Sequence, residues 1–205
     1  MEALPEDWQR AVAVVAHPDD LEYGLASAVA RWTAQSKTVV YVLATSGEAG
    51  IDAMAPEQTG PLREDEERRG AALVGVSDVE FLGHPDGAVE HTMALRRDLC
   101  AAYRRHRPDI VITMNFALTW GEDGGVNHLD HRIVGLAAID ACRDAANRWL
   151  FPEIGDPWQG IDRGVRRVDG PADALRGRGR HAHQGHRVAR AAPCLHRRAR
   201  HRLRS

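Results

Sequence analysis

Two short runs of histidine and carboxylate residues give this sequence its clearest chemical signal. One run spans residues 17–20 and the other spans residues 128–131. Two imidazoles and one carboxylate are an established ligand set for a catalytic zinc ion that keeps a position open for water. The two runs therefore predict a metal site if the fold brings them together. The candidate side chains are His17, Asp19, Asp20, His128, Asp130 and His131.

Each run also has an ordinary explanation when it is taken alone. A single aspartate at position 19 or 20 is typical of a helix N-cap, although two adjacent aspartates exceed what a cap needs. A histidine pair spaced i, i+3, such as His128 and His131, is common on exposed helix termini, but it also places both rings on one side. The functional interpretation depends on the two runs meeting in the fold.

A buried strand and a helix are predicted around the first run. Residues 11–16 are small or β-branched apolar residues, which is typical of a central parallel strand covered on both faces. From Leu21 to Val29, apolar residues recur at helical spacing. The first run therefore follows the carboxyl end of a strand, which is where open α/β sheets bind ligands.

The pattern of strand followed by helix continues along the chain. Alternation of this kind predicts an α/β fold, namely a Rossmann-like parallel sheet with helices on both faces and an active site at the C-terminal ends of the strands. The second run follows the fourth strand, after a glycine-bearing loop at residues 115–127. The further predicted strands cover residues 38–44, 79–82 and 109–114, and the further helices cover residues 62–76, 93–106 and about twenty residues from 128.

Composition is that of an ordinary globular protein. The chain has 205 residues, of which 43% are hydrophobic and 27% charged, as expected for one domain with a substantial core. The N-terminus has no signal-peptide pattern and no apolar run approaches the roughly 18 residues of a membrane span, so we expect a cytoplasmic protein without a membrane partner. Three widely spaced cysteines support neither a disulfide framework nor a thiolate zinc site.

The chain after residue 161 has a different composition. Thirteen of the 27 Lys+Arg residues lie there with only three of the 29 Asp+Glu, and there is no Phe, Tyr or Trp. Too few apolar residues are present to offset the entropy cost of folding, so we predict a disordered basic tail at 162–205. Its Arg, Gly, Ala and Pro content is also typical of a GC-rich gene read out of frame. We prefer this frame-shift interpretation to an Arg-rich arm that binds nucleic acid.

The two runs resemble the motifs of the PIG-L or LmbE-like family of zinc-dependent deacetylases. The resemblance covers residues 10–155 and rests on an apolar strand followed by Ala16-His17-Pro18-Asp19-Asp20, with a later His128-x-Asp130-His131. It implies a deacetylase domain at residues 1–161 that lacks the further strands of its relatives at the C-terminus. It also implies hydrolysis of the acetamide of an N-acetylglucosamine-type conjugate.

The resemblance assigns a role to each candidate residue. It makes His17, Asp20 and His131 the metal ligands and Asp19 the general base. His128 would steady the oxyanion or protonate the departing amine, and Asp130 would orient its neighbours. Arg63, Asp86 and Glu48 match substrate-binding positions in relatives, although a helix-terminus charge and two turn residues are equally ordinary interpretations.

The working hypothesis is a hydrolase with Zn²⁺ as cofactor and a small N-acylated amino sugar as substrate. Two histidines and one carboxylate also suit Fe²⁺ or another divalent metal. A metal-dependent amidase of a thiol or sugar conjugate is the alternative within this class. A nucleotide-binding module is disfavoured because no strand is followed by a G-x-G-x-x-G or P-loop sequence. Binding of nucleic acid through the Arg-rich tail is the alternative from a different class.

Overall fold

Strands and helices alternate along the computed structural model, which describes residues 6–120 and 125–161 together with the backbone of 165–168 and 180–181. The described strands are β1 (Arg10–Val15), β2 (Thr38–Leu43), β3 (Asp78–Phe81), β4 (Ile110–Met114), β5 (Val165–Val168) and β6 (Arg180–His181). The described helices are α1 (Asp20–Gly24), α2 (Ala26–Ala34), α3 (Pro56–Leu73), α4 (Met93–His106), α5 (Leu129–Ala146) and a 3-10 turn at Pro152–Ile154.

The strands form one sheet in the order β3-β2-β1-β4-β5-β6. The pairs from β3 through β5 are parallel, and β6 is antiparallel to β5. The predicted parallel sheet is therefore confirmed. The strand order reverses direction between β1 and β4, which makes the carboxyl ends of these two strands the expected ligand-binding crevice.

Alternating side chains of β1 pack into two separate cores. Ala11, Ala13 and Val15 face one core, whose members include residues of α1, α2 and α3. Val12 and Val14 face the other core, which is built from α4 and α5. Because both faces of the sheet are covered by helices, the central strands are continuously apolar, as the sequence predicts.

Two helices differ from their predicted limits. The helix that follows β1 is interrupted at Leu25, directly after Gly24, where glycine lowers helix propensity. Helix α3 begins at Pro56, six residues before the predicted start. Proline is acceptable in the first turn because the N–H it lacks would have no partner there. Thr59 and Gly60 are buried, so packing also favours a helix across these residues.

The segment after residue 161 is described only in part. Strands β5 and β6 lie within it, although the sequence shows no strand pattern there. The remainder of the predicted disordered tail at 162–205 lies outside the described residues. Within the part that is described, none of the helices is long and apolar enough to cross a membrane.

Candidate metal centre

Three of the predicted ligands meet at the carboxyl ends of β1 and β4. His17 lies two residues after the end of β1, Asp20 begins α1, and His131 lies in the first turn of α5. One ligand atom from each lies within 4.8 Å of those of the other two. Asp20 Oδ1 is 3.1 Å from His131 Nε2, and Asp20 Oδ2 is 3.7 Å from His17 Nδ1. The fold therefore brings together two imidazoles and a carboxylate from residues far apart in the chain.

The remaining polar atoms of Asp20 and His131 already have partners. The backbone N–H groups of Ala16 and His17 donate to Asp20 Oδ2 over 3.1 and 2.9 Å. His131 Nδ1 lies 3.0 Å from the amide oxygen of Asn127, which can only accept, so Nδ1 carries the proton. This leaves Asp20 Oδ1 and His131 Nε2 as the atoms with free lone pairs.

His17 is fixed in the same way by two carboxylates. Its Nε2 lies 3.0 Å from Asp130 Oδ2 and 3.2 Å from Asp86 Oδ1, so the proton of the neutral ring is on Nε2. Asp130 is fully buried and accepts the backbone N–H groups of Gly87 and Val89 over 2.8 and 3.2 Å. These bonds hold Asp130 against His17 and turn the lone pair of His17 Nδ1 towards the cluster.

A divalent metal fits this arrangement of donors. His17 Nδ1 and His131 Nε2 would each present a lone pair to an oxygen of the Asp20 carboxylate without a proton between them. Such a contact is repulsive unless a cation is shared among the three atoms. Two neutral imidazoles and a carboxylate, each oriented through its other polar atom, are typical of catalytic metal sites.

His128 lies beside the cluster as the N-cap of α5. Its ring centroid is 5.0 Å from that of His17 and 5.5 Å from that of His131. The backbone N–H of Asp130 donates to His128 Nδ1 over 3.2 Å. Because Nδ1 accepts this bond, the neutral ring carries its proton on Nε2, which can donate to a ligand.

Asp19 stands in an unusual backbone conformation next to the ligands. Its φ of 81° and ψ of −20° are left-handed, and its side chain is about half exposed. Arg63 Nη2 donates to Asp19 Oδ2 over 3.0 Å and to the Pro18 carbonyl over 2.6 Å. A Cβ on Gly47 would lie 2.6 Å from Arg63 Nε, so only glycine leaves room for this arginine.

The buried carboxyl group of Glu67 lies behind the Asp19 turn, with the more exposed Glu22 beside it. The backbone N–H of Asp19 donates to Glu67 Oε2 over 3.1 Å, while Glu67 Oε1 is buried without a hydrogen-bond partner. Burial, which is the larger cause, and the neighbouring carboxylate of Glu22 together raise the pKa of Glu67 to about 7. Burial likewise raises the pKa of Glu22. Glu67 thus retains a proton at a pH where an exposed glutamate has lost it.

This shift gives a pH-dependent prediction for Glu67→Gln. The folded protein holds the Glu67 proton up to a pKa of about 7, whereas the unfolded chain releases it near 4.5. The contribution of Glu67 to the free energy of unfolding is therefore fully present at a pH below its pKa in the unfolded chain. It is lost as the pH rises through its pKa in the folded protein. Glutamine does not titrate, so the variant should gain about 1–3 kcal/mol relative to the wild type between about pH 5 and about pH 8. The free energy of urea unfolding at both pH values measures this gain.

The exposed neighbour provides the control for this experiment. Glu66→Gln changes the same side chain one position earlier on α3, where it is exposed. We expect its difference from the wild type to stay constant over the same pH range. A constant difference for Glu67→Gln as well would contradict the assigned pKa.

Glu48 lies at a cavity between α3 and the loops after β2 and β3. Its Oε1 accepts the backbone N–H of Asp86 over 2.8 Å, and Asp86 Oδ2 accepts the N–H of Ala49 over 2.9 Å. These two bonds join the loops after β2 and β3. The cavity has a volume of about 260 Å³ and is lined by Ser46, Glu48, Gly60, Pro61, Glu64, Gly83 and His84.

Sequence reasoning missed three side chains that contact the site. Asn127 orients His131, and its position next to His128 in the sequence is a signal that could have been used. Trp120 places its ring edge against His131 at a centroid distance of 5.5 Å, but no spacing in the sequence indicates this. Glu67 lies four residues after Arg63 on α3, so the two share one helix face. The seven consecutive charged residues at 63–69 give no indication of which of them is buried.

Comparison with known proteins identifies deacetylases among the relatives. The family profile described as PIG-L, GlcNAc-PI de-N-acetylase, matches residues 12–142. Diacetylchitobiose deacetylase of Thermococcus kodakarensis is 28% identical over 137 residues, which cover 66% of this chain and 49% of that protein. A 1D-myo-inositol 2-acetamido-2-deoxy-α-D-glucopyranoside deacetylase of Streptomyces avermitilis is 30% identical over 186 residues, which cover 78% of this chain and 60% of that protein. The chain thus spans about half to three-fifths of the length of these relatives.

A solved structure supports the same fold. The N,N′-diacetylchitobiose deacetylase of Pyrococcus horikoshii superposes with a TM-score of 0.71 at 23% identity. The match covers 80% of this chain and 61% of that one. At this identity the likeness establishes the architecture of the sheet and helices.

Proposed function

The chain belongs to the PIG-L family, and from this premise we propose that it is a metal-dependent hydrolase that removes an N-acetyl group from an amino-sugar conjugate. The observation that carries the proposal is the convergence of His17, Asp20 and His131, whose other polar atoms are already bonded. The names of the relatives, which are deacetylases of acetamido sugars, supply the proposed substrate class.

The proposed cofactor is zinc, with Fe²⁺ or another divalent metal as the alternative. The ion would be held by His17 Nδ1, Asp20 Oδ1 and His131 Nε2. Bound there, it would polarise the amide carbonyl and lower the pKa of a water molecule towards about 7. These three side chains need no rearrangement to bind it, because their hydrogen bonds already select the free lone pairs.

Asp19 is the proposed general base. Arg63 donates to its Oδ2, which leaves Oδ1 to take a proton from the attacking water. The oxygen of that water forms a bond to the amide carbon, the C–N bond then breaks, and the same carboxyl group returns the proton to the amine nitrogen. The products are the free amino sugar and acetic acid, which releases its proton to solvent as acetate, and Asp19 is again a carboxylate.

His128 is the proposed donor to the oxyanion. Its Nδ1 accepts the Asp130 N–H, so Nε2–H is the group that can donate to the carbonyl oxygen as negative charge develops there. Asp130 binds His17 through its side chain and His128 through its backbone. It therefore orients one residue on each side of the reacting amide.

Substrate contacts are proposed for Glu48 because it lines a cavity and accepts the backbone N–H of Asp86, whose side chain lies against His17. Arg63 is bonded to Asp19, and Asp86 lies against His17, so both already have partners within the protein. Their contacts with the sugar stay predictions. The nucleic-acid alternative rests on the basic tail, and within the described residues no observation favours it.

Release of free amine tests the proposal directly. The purified chain should be loaded separately with Zn²⁺ and Fe²⁺ and incubated with N-acetylglucosaminyl inositol, N,N′-diacetylchitobiose and N-acetylglucosamine. We expect metal-dependent release of equal amounts of acetate and primary amine from at least one of them. A folded, metal-loaded chain that releases neither product from any of these acetamido sugars would contradict the proposed function.

A further inference from the structure

The backbone of Asp19 is held in a left-handed conformation with a φ of 81°. Aspartate enters this region more readily than most L-residues, but the conformation still costs free energy relative to the right-handed and extended regions. Asp19 is the N-cap residue of α1 but makes no side-chain cap hydrogen bond, so capping does not stabilise this conformation. Contacts from outside the turn must therefore maintain it.

Helix α3 supplies those contacts from two side chains one turn apart. Arg63 donates to the Pro18 carbonyl and to Asp19 Oδ2, and Glu67 accepts the Asp19 backbone N–H at 3.1 Å. The carboxylate, the carbonyl and the N–H of the turn are thus all bonded to one helix. Arg63 could hold the carboxylate in more than one backbone conformation, whereas the bond to Glu67 fixes the direction of the N–H itself.

Apart from its bond to Asp19, the burial of Glu67 is unfavourable for the stability of the protein. It is buried with Glu22 beside it, and its Oε1 has no hydrogen-bond partner. A buried ionisable group without full hydrogen bonding destabilises a protein relative to an apolar residue of similar size. Apart from its interaction with the neighbouring carboxyl group of Glu22, Glu67 accepts the backbone N–H of Asp19.

We propose that Glu67 is a positioning residue, which acts by accepting the Asp19 backbone N–H and so holds the base in its left-handed conformation. This inference rests on the proposed function, because it takes Asp19 as the base. Glu67 does not contact the metal ligands or the substrate in this scheme. Its loss should therefore slow the proton transfer and leave metal binding and substrate binding unchanged.

Three single variants test this role. Glu67→Leu removes the acceptor, and we expect kcat to fall about 10- to 100-fold, as for a displaced catalytic group, with KM and metal content unchanged. Glu67→Gln keeps an acceptor oxygen and should retain kcat within about threefold of the wild type. Glu66→Leu makes the same change on the exposed neighbour and should have no effect. Equal kcat for Glu67→Leu and the wild type would overturn the proposal.

A crystal structure and a double variant separate positioning from a general structural role. In Glu67→Leu, Asp19 should leave the left-handed region, while in Glu67→Gln it should remain there. Adding Glu67→Leu to Asp19→Asn should cause no further loss of kcat, because the base is already absent. Additive losses, or an unchanged Asp19 backbone in Glu67→Leu, would contradict the proposed role.

The same variants distinguish a failure of the inference from a failure of the proposed function. Full turnover in Asp19→Asn would show that Asp19 is not the general base, and the proposed role of Glu67 would then fail as well. Loss of turnover in Asp19→Asn together with full turnover in Glu67→Leu would reject the role of Glu67 alone. If Glu67→Leu does not fold, Glu67→Met replaces it. Failure of both apolar variants to fold would show that Glu67 supports the fold itself, which also overturns the proposal.

Discussion

Replacing Asp19 with asparagine is expected to leave the metal bound and to lower kcat by about 100- to 10,000-fold, which is the usual contribution of a general base. Asparagine has nearly the same shape, and it tolerates the left-handed backbone at this position. Its amide oxygen can still accept the Arg63 hydrogen bond, so the turn should be preserved. The amide cannot take a proton from water, and the substitution therefore removes the chemistry alone.

Measurement of kcat, KM and metal content on the same preparation checks this expectation. Asp78→Asn is the matched control, since Asp78 is exposed at the start of β3, at the opposite end of the sheet from the site. The control should behave as the wild type in all three measurements. Turnover in Asp19→Asn within a few-fold of the wild type would assign the base to another group.

Replacing His131 with alanine is expected to abolish metal binding and, with it, turnover. In the proposed metal centre His131 supplies one of three ligand atoms, and its Nε2 lies 3.1 Å from Asp20 Oδ1. Loss of a residue that merely orients a ligand lowers metal affinity about 10- to 100-fold, so loss of the ligand itself should exceed this range. The Asp20 carboxylate and His17 alone would leave the ion mostly bound to water.

Metal content after dialysis, together with a metal titration of the apo protein, measures this effect. His91→Ala is the control, because His91 pairs with Asp140 on the surface and lies outside the cluster. It should retain the metal stoichiometry and the kcat of the wild type. An equal metal content in His131→Ala and His91→Ala would place the metal elsewhere in the protein.

Much of this fold can be predicted from the sequence because its central strands are buried on both faces. The run at 11–16 appears as β1, shifted by one residue, and the basic helix at 93–106 agrees with α4 at both ends. In such a sheet, the polar side chains that follow the strands gather at one edge, where the strands have their carboxyl ends. The meeting of the first and second runs was for this reason predictable from the order of strands and helices alone.

Other features depend on contacts that no local pattern encodes. The early start of α3 depends on burial of Thr59 and Gly60 against neighbouring loops, whereas prolines at positions 56 and 61 predict a loop by local propensity. The burial of Glu67 depends on which face of α3 meets the Asp19 turn. Strand β5 contains two arginines and has no apolar period, and its backbone pairs with β4 all the same.

Pairing of β1 with β4 has a consequence for how the site assembles. The two strands are adjacent in the sheet but are separated in sequence by β2, β3 and the four helices α1 to α4. Closing a loop of that length lowers the conformational entropy of the chain before native contacts can offset the loss. Such pairings therefore tend to form late in folding. His17 and Asp20 follow one strand and His131 follows the other. A chain still folding therefore has no complete chelating centre, and occupancy by a metal would report that the central sheet has closed.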